Sequence, residues 1–143
     1  MIVNGGGAKF SIQLAVADLE TTEAFYAGIL EVPVEHALTA WRGPEHLVLR
    51  LDGGGEVIFV EEEGVVRVHP MLGERLSDYP KGVGMTLHFR VSGIEEISDA
   101  LEEEGLEILY PLAEKPYGMK ELWCFDPDGY LVVLEEKVEK RKG

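Results

Sequence analysis

His88, Arg90 and Glu135 are residue types that can do chemistry. His88 and Arg90 lie two apart in an alternating stretch, so in an extended chain they share one face. A histidine beside a carboxylate can pass a proton near neutral pH. A His88–Glu135 pair that only holds structure is the competing reading. Arg90 could grip a ligand carboxylate through its planar fork, or form a salt bridge to one of the 27 acidic residues. Trp41, Phe59, Tyr117, Met119 and Trp123 are large side chains suited to walling a cleft for a flat or amphipathic molecule. Core packing is the competing reading, and for Trp123 it is equally simple. His36, His46 and His69 have no ligand spacing among themselves and read as surface or loop residues. The one cysteine, Cys124, reads as an inert core thiol. The sequence contains no nucleophile elbow, no phosphate-binding glycine loop and no cysteine cluster.

These residues need elements to hold them. Phe10, Ile12, Leu14 and Val16 alternate with Ser11, Gln13 and Ala15, the period of a half-buried strand. Asp18 can cap a helix running to about Ile29. Extended stretches follow near Val32–Thr39, Glu45–Leu51 and Glu56–Glu61, with a hairpin turn at Asp52-Gly53-Gly54-Gly55. Residues 62–84 are rich in glycine and proline and read as a long connection. The pattern then begins again. Met85, Leu87, Phe89 and Val91 alternate with Thr86, His88 and Arg90. Ser92 and Glu95 have the spacing of a capping box. Ile94, Ile97 and Leu101 mark one face of a helix that Gly105 ends. Strands follow near Leu106–Pro111, Met119–Phe125 and Tyr130–Glu136, with a turn at Asp126-Pro127-Asp128-Gly129.

One unit, strand–helix–three strands, therefore occurs twice. The first copy opens at Phe10 and the second at Met85, an offset of 75 residues. The expected fold class is α+β, two βαβββ modules whose curled sheets enclose a cleft. Module one covers about residues 8–62, the connection 63–84, module two 85–137, and a charged tail 138–143.

A chain of 143 residues corresponds to about one domain, long enough to bury roughly two-thirds of its unfolded surface without a staple. The net charge of −14 repels phosphate backbones, so nucleic acid is not an expected partner. It favours cationic partners, or simply solubility. No apolar run has membrane-spanning length. Met1 to Lys9 lacks a basic segment followed by an apolar core, so no signal peptide is expected. With a single cysteine, a reducing, cytoplasmic compartment is the default.

Five short stretches carry a resemblance. Val16-Ala17-Asp18-Leu19 precedes Phe25-Tyr26 in the first half. The second half has His88-Phe89-Arg90-Val91, then Lys115-Pro116-Tyr117-Gly118-Met119, then Asp126-Pro127-Asp128-Gly129-Tyr130. The ordered set resembles the glyoxalase / bleomycin-resistance / dioxygenase family, the vicinal-oxygen-chelate superfamily, from about Phe10 to Glu136. It is closest to the branch with a P-W-G segment before D-P-D-G, with Tyr117 in place of tryptophan. Gly28-Ile29-Leu30-Glu31 departs from the family's usual Leu-Gly pair at the helix end.

The resemblance implies four cavity-facing metal positions, one on the first and last strand of each half. Counting along the strands puts Ser11, Phe59, Thr86 and Val133 there. None offers imidazole or carboxylate, so neither metal nor other cofactor is expected. Two residues further along each strand, Gln13, Glu61, His88 and Glu135 form a shifted set that could ligate if the four converged. The expected ligand-binding residues are Gln13, Phe59, Thr86, His88, Arg90, Tyr117 and Glu135. Glu121 matches an acidic position of that branch and could face a cation. The resemblance implies a metal-independent small-molecule binder acting as a homodimer, with the ligand in the cleft between modules or at the dimer interface. The alternative it implies is a lyase or isomerase using His88 with Glu135 or the shifted set. A third reading is an interaction domain with a vestigial cleft.

Overall fold

The computed structural model describes residues 10–39, 43–76, 78 and 80–138. The expectations for Trp41 and for the tail beyond Val138 fall outside these residues. The chain divides into two compact units, one of residues up to 27 with 31–74, the other of 28–30 with 75 onward.

In the first unit β1 (Ser11–Val16) leads into α1 (Leu19–Glu23), which continues as a π-helical segment at Ala24–Ile29. The strands β2 (Glu35–Thr39), β3 (Gly43–Arg50) and β4 (Glu56–Glu61) follow. The sheet order is β1-β4-β3-β2. Successive short turns make β2, β3 and β4 antiparallel, whereas the long return from β1 leaves β4 parallel to it. Asp18 caps α1 as its sequence position indicates, accepting from the Thr21 amide at 2.9 Å. One face of the sheet, with Leu14, Val16, Leu47, Leu49, Val57 and Phe59, is buried. Phe59 stacks on Tyr26 of the helical segment, with ring centroids 4.9 Å apart.

Residues 62–84 are not a long loop. They hold α2 (Glu62–Val68) and α3 (Pro70–Leu76). Pro70 opens α3, where a missing N–H is not needed. Gly73 allows the two helices to approach, because a Cβ there would lie 2.9 Å from the Val66 Cγ2. Pro70 and Gly73, which suggested a loop, are thus a helix start and a close contact, while Pro80, Gly82 and Gly84 lie in the turns before β5.

The second unit repeats the first. The strand β5 (Thr86–Arg90), α4 (Ile94–Glu103), β6 (Ile108–Lys115), β7 (Met119–Phe125) and β8 (Leu131–Lys137) give the order β5-β8-β7-β6, with β5 parallel to β8. Ile94, Ile97 and Leu101 are buried, as are Leu87, Leu122, Cys124, Val132 and Leu134 on the sheet. Burial pushes the Cys124 thiol up to about 12, consistent with an inert core residue.

The Ser92–Glu95 capping box does not form. The helix starts one residue later, with Gly93 as its cap at a φ of 73° that favours glycine. Its free amides are satisfied from the sheet instead. Glu136 on β8 accepts from the Gly93 amide at 2.7 Å and the Ile94 amide at 3.3 Å. In the first unit Glu61 on β4 accepts from the Leu19 amide at 3.3 Å. Glu61 and Glu136 stand at the same 75-residue offset as the opening strands, so one tertiary helix cap is used twice.

Candidate functional site

The chemistry gathers on the face of the second sheet opposite α4. Strand register sets two rows of side chains there. His88, Val133, Trp123 and Tyr110 form one; Arg90, Glu135, Glu121 and Ala113 form the next. Alternation along β5, β7 and β8 turns these side chains away from α4, and Val133 among them is itself buried.

Within this array the polar groups are linked. His88 Nδ1 lies 3.1 Å from Glu135 Oε1, and His88 Nε2 lies 2.9 Å from Thr86 Oγ1. With Nδ1–H donating to Glu135, Nε2 is left to accept from the Thr86 hydroxyl. Arg90 Nη2 stands 3.8 Å from the other Glu135 oxygen. His88 and Arg90 are both more than half exposed, so the group is open to solvent rather than a closed ion pair.

Beside it lies a concavity of about 360 Å³ lined by Tyr110, Pro111, Lys115, Tyr117, Glu121 and Trp123. Tyr117 extends from the turn between β6 and β7, and its hydroxyl donates to Glu121. The Trp123 indole N–H donates to the other Glu121 oxygen at 3.3 Å. Tyr110 meets Trp123 edge to face, with ring centroids 5.4 Å apart. The Tyr117 hydroxyl holds the Glu121 carboxyl below the usual carboxylate range, helped by Trp123 and the nearby Lys115 and His88. Reciprocally, Glu121 pushes the Tyr117 phenol up to about 12. A larger concavity of about 500 Å³ surrounds the Asp126–Gly129 turn. Its buried Asp126 is engaged in that turn, accepting from the Asp128 and Tyr130 amides.

The first sheet differs. Gln13 is exposed on the face opposite the helix-covered one, and its row holds Ile58, the buried Val48 and Glu35. Phe59 pairs with Leu14, points to the opposite, helix-covered face and is fully buried. Phe59 therefore shares no face with Gln13 and is a core residue, and Glu61, on the same side, is a helix cap. Both assignments slipped by one residue, which in a strand turns a side chain over. The 75-residue offset carried through to β4 matches Ile58 to Val133 and Val60 to Glu135.

The glyoxalase/bleomycin resistance protein/dioxygenase superfamily matches this sequence over residues 10–134. The chain belongs to that superfamily. Solved structures with the same fold include a hypothetical protein from S. aureus, 17% identical, covering 91% of this chain and 93% of that one at a TM-score of 0.65. A family enzyme from Burkholderia phytofirmans PsJN is 17% identical, covering 90% and 97% at 0.65. A glyoxalase-related enzyme from Fulvimarina pelagi is 19% identical, covering 92% and 88% at 0.62. No curated protein matches the chain.

Membership of the superfamily raises the question of a metal, and the residues present do not fit one. With the register corrected, the four positions hold Ser11 and Ile58 in the first sheet and Thr86 and Val133 in the second. Hydroxyls and aliphatic chains are poor donors for zinc, nickel or iron. The shifted set loses Glu61 to the opposite face, leaving Gln13 paired with Ile58, which offers no ligand. Among the described residues no three of His, Cys, Asp and Glu are grouped to hold a metal ion. Thr86, His88, Arg90 and Glu135 do come together as their shared parity indicates, and Tyr117 joins the neighbouring concavity. Tyr110 was not legible in the sequence, because β6 carries register shifts between Ile108 and Ala113 that break simple alternation.

Proposed function

We propose that this superfamily member is a metal-independent small-molecule-binding protein whose ligand rests on the face of the second sheet opposite α4. The observation that carries this is the adjacency of a linked polar group, Thr86–His88–Glu135–Arg90, to the aromatic-lined concavity at Glu121. A few placed polar groups beside apolar walls are the usual make-up of a small-molecule site. The test is metal analysis of the purified protein followed by a thermal-shift ligand screen. The expected result is no stoichiometric transition metal, with a hit whose affinity falls in His88→Ala. One equivalent of metal lost in His88→Ala would overturn it.

The His88–Glu135 hydrogen bond supports a second reading, a lyase or isomerase in which Glu135 orients His88 as an acid/base group. Proton-transfer turnover abolished by His88→Gln, with a bell-shaped pH profile, would promote that reading over simple binding. The exposed apolar side chains of Val68, Met71 and Leu72 on α2 and α3 support self-association as a homodimer. A monomeric mass by light scattering at micromolar concentration would count against it. Among the described residues no helix is long and apolar enough to cross a membrane.

A further inference from the structure

We propose that the concavity bounded by Tyr110, Tyr117 and Trp123 receives a substituted organic ammonium ion, with Glu121 as its counter-charge. The proposal rests on the second sheet being the ligand-binding face and names the class of ligand it takes.

Glu121 lines this concavity. Its two carboxylate oxygens accept from the Tyr117 hydroxyl and the Trp123 indole N–H. Both donors are neutral. They fix the carboxylate and stabilise its ionised form without pairing its charge, and the nearby Lys115 and His88 act on it only from beyond ion-pair distance. On the adjacent strand Glu135 stands directly opposite Glu121. Like charges in facing positions of a sheet repel. Glu135 has His88 and Arg90 on its far side, whereas among the described residues Glu121 has no ion-pair partner within 4 Å. Lys115 lines the same concavity without forming such a pair.

The surroundings of this unpaired charge are aromatic. Tyr110 is 54% exposed and Tyr117 64% exposed. Trp123 is held by its own hydrogen bond and by the edge-to-face contact with Tyr110. Aromatic faces attract cations through their quadrupole, best when the cation is weakly hydrated. A metal ion or a small hydrated cation would exchange strong water ligands for ring faces. An alkylated ammonium has apolar substituents to place against the rings and a diffuse charge to set near Glu121. A volume of about 360 Å³ accommodates such a group with part of the molecule that bears it. The pair Glu121 and Lys115 makes the sign of the preference testable, because removing each should move cation binding in opposite directions.

The test titrates the full chain with choline and with 3,3-dimethylbutan-1-ol, which has the same shape without the charge, following Trp123 emission in a Trp41→Phe background. The expected result is choline preferred by about tenfold or more, with the preference lost in Glu121→Gln and choline affinity raised in Lys115→Met. Equal affinity for the two compounds overturns the proposal, and so does the absence of choline binding at millimolar concentration. If Glu121→Gln fails to fold, the wild-type ratio and Lys115→Met still decide it. A thermal-shift screen of neutral and anionic compounds separates this proposal from the broader reading. A hit lost in His88→Ala without a choline preference overturns the ammonium assignment and leaves the ligand-binding face standing, whereas no hit and no choline binding remove both.

Discussion

The two modules share a strand order, a helix cap and a 75-residue offset, yet the sheet faces opposite their helices are chemically unlike. Where the second sheet has His88, Arg90, Glu135, Glu121 and Trp123, the same offset places Gln13, Ala15, Val60, His46 and Val48 in the first. The buried faces tell the opposite story. Phe59 corresponds to Leu134, Leu14 to Phe89 and Val57 to Val132, apolar in every case. The core of a repeated unit is constrained by packing, which any apolar residue of suitable volume satisfies. On the opposite face Val48 and Val133 are buried, but the other positions are less constrained, so polar and aromatic groups can accumulate on one copy without disturbing the fold.

That contrast can be broken at its strongest point by Phe59→Ala. Phe59 is fully buried against Tyr26, so truncation should destabilise the protein by roughly 3–5 kcal/mol, measured by urea denaturation. A variant that keeps its stability and loses ligand affinity would instead return Phe59 to the ligand face.

The shared helix cap offers a finer comparison. Glu136→Ala removes a carboxylate bound to two amides and Glu61→Ala one bound to a single amide. The expected losses are about 1–2 kcal/mol for Glu136 and less for Glu61. Equal losses, or none, would show that the helix N-termini are satisfied by water.

On the faces opposite the helices the asymmetry predicts binding rather than stability. His88→Ala should weaken a ligand found by screening by about tenfold or more, roughly 1.4 kcal/mol, with its melting temperature unchanged. Gln13→Ala, at the matching position of the other module, should do neither. A Gln13 variant as impaired as the His88 variant would mean that both sheets contribute to the site.

The smallest expected effect separates the modules by pH. His36 lies between Glu23 and Glu45, each 2.7 Å from a ring nitrogen, and both hydrogen bonds require the doubly protonated ring. The Glu23 carboxylate, then Glu45, raises its pKa above the ordinary 6.5. A raised folded-state pKa contributes stability that is fully present below the unfolded value and is lost as pH rises through the folded one. The group is exposed, so the contribution is small. His36→Gln should therefore flatten the decline in melting temperature above pH 6.5, and an unchanged slope would place the dependence elsewhere.

The sequence alone determined the repeat, the strand–helix–three-strand order and the shared face of Thr86, His88 and Arg90. Local alternation and turn chemistry encode these, and both are read from neighbours in the chain. It did not determine which residue of β4 lies beside Gln13. That is set by pairing between strands more than forty residues apart, where a slip of one turns Phe59 and Glu61 to the other face. Nor did it reveal the caps that reach α1 and α4 from the sheets. Asp18 is a local cap and was legible, but Glu61 and Glu136 reach the helix amides from the far end of each module, and Gly93 displaced the local box at Ser92. The company that Tyr110 and Tyr117 keep with Glu121 and Trp123 arises the same way. Register shifts in β6 and the turn at Gly118 bring them onto one surface, and strand pairing rather than local alternation sets Tyr110 against Trp123.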